Sequence, residues 1–276
     1  METKISVKQR YFIQLSYNGA EFHGWQIQPN AVTVQEELQK SMSMISRESI
    51  EVTGAGRTDT GVHASLYVAH FDAVSLKLDD PNFVYKLNKL LCKGIAVQKI
   101  FKVGPKDHAR FDATHRTYKY FITFDKDPFV SSFAFKPFKK VDIEIMNEAA
   151  VFLLKHKDFE SFERTGADNK TSVCDVSAAS WEVFDNFAVF TIQADRFLRN
   201  MVRAIVGTLL DVGYGKISPK KFNQIIEKRN RKYASASAPG EALFLVDVGY
   251  NSLIESQIDY KAQGFHFVPR EMPKRS

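Results

Sequence analysis

Cysteine is scarce here. The chain has two in 276 residues, Cys92 and Cys174, too far apart for the short paired spacings of a zinc site. Such sparse use points to reduced thiols in a cytosolic setting, not to a disulfide scaffold. Long apolar runs are also missing. No stretch approaches the roughly 18 residues that cross a bilayer, and residues 1–8 have no apolar segment of the kind a secretory leader carries. A cytoplasmic protein with no membrane partner is expected. A metal-ligating helix is lacking too. His63 follows Asp59 by four, but Gly61 lies between them, and His70 with Asp72 adds no helical spacing. No metal is expected, and His63 reads as a hydrogen-bonder within its loop.

What is present is ordinary for a globular chain: 44% hydrophobic residues and 25% charged. The length allows one large domain or two small ones. A net charge of +6 favours a polyanionic partner. Cations cluster at Lys136/Lys139/Lys140, Lys155/Lys157, Lys216/Lys220/Lys221 and Lys228/Arg229/Arg231/Lys232.

Periodicity gives the order of elements. Residues 10–17 alternate as a strand, and Thr33 with Glu36 forms a capping box for a helix striped by Val34, Leu38, Met42 and Ile45. Short strands at 50–52 and 65–72 follow. Asp80-Pro81 opens a second helix, and 95–103 is a strand. That β-α-β-β-α-β order is a ferredoxin-like unit. Residues 104–112 read as a boundary, after which the order roughly recurs. A strand at 116–124 leads to a helix at 142–157, a polar loop at 159–175 and a hairpin at 179–195 turning on Asp185-Asn186. A helix at 198–212, another opened by Ser218-Pro219, and a strand at 243–250 complete it. The expected fold is α+β, two ferredoxin-like halves (1–104 and 105–250) whose mainly antiparallel sheets pack together with a cleft between them. Residues 251–276 read as a tail. Arg196, Arg199 and Arg203, at helical spacing, suggest a basic stripe.

One stretch concentrates chemistry: Gly54-Ala55-Gly56-Arg57-Thr58-Asp59-Thr60-Gly61-Val62-His63-Ala64. Three glycines frame a guanidinium, a hydroxyl, a carboxylate and an imidazole, the makeup of a site carried on a loop. This run resembles the catalytic loop of the tRNA pseudouridine synthase A family. Further motifs are similar to that family's over most of the chain, from about Tyr11 to Tyr250. They are Phe22-His23-Gly24-Trp25-Gln26, Asp107-His108-Ala109-Arg110-Phe111-Asp112, Arg116-Thr117-Tyr118-Lys119-Tyr120, Asn200-Met201-Val202-Arg203, and Ser237-Ala238-Pro239 with Leu243-Phe244-Leu245. Two positions depart from the family pattern. Ala242 stands where glycine is usual before the leucine, and Leu91-Cys92 stands where Leu-Pro is common.

The resemblance implies isomerisation of uridine to pseudouridine at positions 38–40 of the tRNA anticodon arm, by a homodimer, without a cofactor. Asp59 is then the catalytic carboxylate, as nucleophile or as base at C2′. Arg57 and Arg203 would each hold a carboxylate bidentately, Tyr118 would stack on the extruded base, Leu243 would wall the pocket, and Arg110 would meet substrate. By pattern alone Tyr118 is a core aromatic. Two other classes compete. A non-catalytic RNA-binding module would want exposed aromatic-glycine strand motifs, which are missing. A glycoside hydrolase would want a second facing carboxylate, and residues 54–64 hold one.

Overall fold

The computed structural model describes residues 8–74, 77–166 and 170–260. Its first half contains β1 (Gln9–Tyr17), α1 (Val34–Ser46), β2 (Val52–Gly54), β3 (His63–Ala73), α2 (Pro81–Leu90) and β4 (Ile95–Lys102). The second contains β5 (His115–Thr123), α3 (Ile143–Ala150), β6 (Val176–Phe184), β7 (Phe187–Ala194), α4 (Met201–Gly213), α5 (Pro219–Glu227) and β8 (Leu243–Gly249). A short α6 (Ser252–Glu255) follows.

Helix starts are written in side chains that cap free N–H groups. Thr33, Asp80, Asp142 and Ser218 each accept a bond from the first turn of α1, α2, α3 and α5. The hairpin β6–β7 turns at Asp185-Asn186, where that dipeptide marks it. Two helix boundaries move, β2 forms at Val52–Gly54 where 50–52 is expected, and the hairpin begins at Val176 where 179 is expected. The helix expected over 142–157 stops at Ala150 and tightens into a 3-10 turn, Val151–Lys155. α4 starts at Met201 because Asn200 takes the left-handed conformation, φ 65°. Arg196 and Arg199 therefore precede the helix, and the stripe expected with Arg203 does not lie on one helical face.

The sheets correct the expected arrangement. Among the described residues, the strands form one eight-stranded sheet in the order β4-β1-β3-β8-β5-β7-β6, with β2 also on β3. The halves meet edge to edge, not face to face. The joint is β8, antiparallel to β5 and parallel to β3 through His63↔Phe244 and Ala64↔Leu245. Because β8 contributes Leu245 and Val248 to the core of the first half and Leu243 to that of the second, the seam is apolar and continuous. Tyr118 packs against both cores.

Beyond β8 the chain stays attached as far as it is described. Ile254 and Ile258 are buried, and Gln14 exchanges two bonds of 2.8 Å with the Asp259 backbone. Of the stretch expected as a tail, residues 251–260 thus cover part of the sheet, and 261–276 lie outside the described residues.

Candidate active site

The segment between β2 and β3 is held from several sides. Ala55 N–H donates to Val68 O at 2.9 Å, and Trp25 N–H donates to Thr58 O at 3.3 Å. Tyr17 Oη and Thr58 Oγ1 are 2.9 Å apart, and the Tyr67 hydroxyl donates to Gly56 O. Trp25 stacks on Tyr67 with centroids 4.2 Å apart, so an aromatic wall backs the loop. A Cβ at Gly54 would lie 2.1 Å from the Tyr67 hydroxyl, which explains glycine there, and Gly61 takes φ +79° to turn the chain into β3.

His63 closes the loop. Its Nδ1 accepts from Gly19 N–H at 3.0 Å, so the proton sits on Nε2 and is donated to Glu241 O at 2.9 Å. Burial lowers its pKa, keeping the ring neutral. Since Glu241 belongs to the second half, this imidazole also crosses the seam.

Asp59 sits at the crown of the loop. Arg203, in the first turn of α4, donates Nη1–H to Asp59 Oδ2 at 3.4 Å and Nε–H to Ala238 O at 2.8 Å. The fork is divided: one nitrogen holds the carboxylate and another is fixed by main chain, in place of the bidentate grip expected. Both side chains are partly open, 21% for Asp59 and 23% for Arg203, so the carboxylate remains within reach of a substrate.

Tyr118 lies near this pair on β5, with its ring edge-on to Phe197 at 5.2 Å. Burial raises the phenol's pKa well beyond its usual value; nearby Arg116 opposes the rise and Asp59 adds to it, so the hydroxyl stays protonated at neutral pH. Leu243, buried on β8, pairs with Tyr120, two residues along β5 from Tyr118. Arg57 and Arg110 are exposed, and neither makes a hydrogen bond or ion pair with Asp59 among the described residues. The structure thus brings together Asp59 and Arg203, with Tyr118 and Leu243 close on the seam, and leaves Arg57 and Arg110 outside that contact. Among the described residues no group of three or more His, Cys, Asp or Glu side chains could hold a metal ion.

A family model described as tRNA pseudouridine synthase matches residues 14–112 and 149–251. The chain belongs to that family. A tRNA pseudouridine synthase A of Bacteroides fragilis is 54% identical over 243 residues, covering 88% of this chain and 96% of the relative. That of Bacteroides thetaiotaomicron is 53% identical over 252 residues, covering 90% and 93%. One from Acetivibrio thermocellus is 40% identical over 238 residues, covering 86% and 97%.

Two sets of residues in this family member were not singled out from sequence. Tyr17 and Tyr67 brace the loop from β1 and β3, where alternation marks them only as core. Arg116 stands in the sequence only as part of the tyrosine motif. The departure at Ala242 is harmless to the backbone, since it lies in a 3-10 turn, Gly240–Ala242, and is not among the described residues with positive φ.

The loop carrying Arg110 is anchored by His70, whose Nδ1 accepts from Ala109 N–H at 3.1 Å, while the Tyr250 hydroxyl donates to Ala109 O at 2.6 Å. Burial, with help from His108 and Arg10, lowers the His70 pKa to about 4, against the opposing pull of Asp72 and Asp112. A histidine with a lowered folded pKa supports the fold fully above the unfolded value near 6.5, and that support is lost as the unfolded chain binds protons the folded chain refuses. Stability is expected to fall from pH 6.5 toward pH 4 for this reason. His70→Asn, which retains an acceptor but does not titrate, should flatten part of that slope in denaturant titrations. An unchanged slope would mean other groups carry it.

Proposed function

We propose that this chain isomerises uridine to pseudouridine at positions 38–40 of the tRNA anticodon arm, with Asp59 as the catalytic carboxylate. The observation that carries the reading is the Asp59–Arg203 contact on the seam, beside Tyr118 and within a loop braced from several sides.

The reaction breaks C1′–N1, turns the uracil and joins C1′ to C5. N1 ends with a proton and C5 gives one up, so no electrons are gained or lost and the kit is small. Asp59 works at the sugar, adding to C1′ or removing the C2′ proton. Arg203 holds that carboxylate and aims it. The protonated phenol of Tyr118 offers its ring as a stacking platform for a base taken out of the helix. Leu243 supplies apolar wall, and Arg57 and Arg110, exposed and free of Asp59, are suited to the RNA backbone. Exposed Lys136, Lys140, Lys155, Lys220 and Lys221 extend a basic surface for the same polyanion.

We read each half as a ferredoxin-like unit, the strand orders β4-β1-β3-β2 and β8-β5-β7-β6 supporting this. The working form is a homodimer in the cytoplasm, on the family resemblance, and light scattering at the mass of one 31.4 kDa chain would oppose it.

Transcripts carrying uridine at only one of positions 38, 39 or 40 test the substrate. Pseudouridine is expected at those sites and not in the other arms. Modification confined to another arm would reject the assignment.

A further inference from the structure

Arg116 is the cation the proposed chemistry does not use, and its bonding is unusual. It stands near the start of β5, two residues before Tyr118. Its Nη1 donates to Ala113 O at 2.9 Å and Asp195 O at 2.7 Å. Its Nη2 donates to Ala55 O at 2.9 Å and Arg110 O at 2.6 Å. Four bonds take up every hydrogen of the two terminal nitrogens. All four acceptors are main-chain carbonyls, and among the described residues no carboxylate forms an ion pair with it. An ordinary surface arginine seeks a carboxylate or water. This one is half-buried, and burial lowers its pKa, an environment that disfavours its charge. Holding a guanidinium there is costly unless its fork does something that no apolar side chain could.

The carbonyls come from three segments that are separate in sequence. Ala55 begins the catalytic loop of the first half, four residues before Asp59. Arg110 and Ala113 frame the loop between the halves. Asp195 directly follows β7, where the chain leaves for α4 and Arg203. Ala55 is thereby gripped twice, its N–H by Val68 O in its own half and its C=O by Arg116 from the other.

We propose that Arg116 is a positioning residue: its fork fixes the catalytic loop of one half against Tyr118 and the Arg203 segment of the other. The inference rests on the pseudouridine synthase reading for its kinetic consequence, but the clamp can be tested without it. With its terminal hydrogens consumed, Arg116 is not a phosphate contact. Its role is geometric, and charge alone does not replace it. Lysine keeps the charge, but a single ammonium cannot span carbonyls on three segments.

The experiment uses the full chain with Arg116→Lys and Arg116→Met, measuring single-turnover pseudouridine formation, tRNA affinity, and amide hydrogen exchange of peptides covering 55–61 and 9–17. The clamp predicts a rate loss of roughly 100-fold, the scale expected when reacting groups are misplaced by about an ångström. The two variants should be similar, with affinity within about threefold of the parent. Exchange should quicken in 55–61 and stay unchanged in 9–17. Full activity in the lysine variant would make charge the function and overturn the clamp. Loss of affinity matching the loss of rate would make Arg116 a substrate contact and do the same. Exchange that quickens equally in both peptides would reduce it to general stability. If the methionine variant fails to fold, the lysine variant decides alone. Should the parent form no pseudouridine, the functional reading fails while the exchange result still decides the clamp.

Discussion

Asp59→Asn is expected to lower single-turnover pseudouridine formation by on the order of 10⁴-fold or more, with tRNA affinity kept within a few fold. Asparagine preserves the shape of the loop crown, where Asp59 O accepts from Val62 N–H at 3.1 Å, a main-chain bond indifferent to the side chain. It removes the oxyanion that would meet C1′ and the basicity that would take a C2′ proton, so both versions of the mechanism fail together. Binding survives because the exposed cations lie elsewhere. Removing a partly buried charge can even tighten binding, although Arg203 then loses its carboxylate partner. A variant within tenfold of the parent would remove this loop from the chemistry. One that lost affinity as well as rate would make Asp59 a structural residue.

The next largest effect is expected at Arg203. Its guanidinium makes two separate bonds, to Ala238 O at 2.8 Å and Asp59 at 3.4 Å, from different nitrogens. A lysine ammonium can serve one or sit between them, but cannot hold the planar geometry that makes Ala238 an anchor for aiming at Asp59. Arg203→Lys should cost roughly 100-fold in rate at near-parental affinity, and Arg203→Met more, since it leaves Asp59 without its cation. Both losses should stay below that of Asp59→Asn. Equal rates for lysine and arginine would mean that only charge is needed there. A loss at Arg203 exceeding that at Asp59 would reverse their roles.

Much of this is legible in the sequence. Capping residues Thr33, Asp80 and Ser218 announce three helices because a free N–H needs a local acceptor, and such acceptors are written in adjacent sequence. The glycine-framed loop around Asp59 was legible for a related reason: turns demand particular residues. The seam was not. β3 meets β8 through pairs such as His63↔Phe244, about 180 residues apart, and nothing local to either strand marks a parallel partner. Hence two sheets packed together with a cleft between them are expected where one continuous sheet runs. The Arg116 clamp was hidden likewise, because its four acceptors are backbone carbonyls, which every residue carries. Arg57, to which the family resemblance gives a carboxylate-holding role, makes no ion pair with Asp59 among the described residues, because on a turn side chains two apart need not converge. The start of α4 slipped because Asn200 tolerates the left-handed conformation, a preference that left Leu198 and Arg199 outside the helix.

The central claim is that Asp59, held by Arg203 on the seam, isomerises uridine in place. Its most direct test is to incubate the purified chain with a uridine-containing tRNA transcript and to measure pseudouridine, free uracil and transcript mass together. The account predicts pseudouridine accumulating at 38–40 with unchanged mass and no uracil released. Uracil release with a matching loss of mass, or tight binding with every uridine intact, would contradict it.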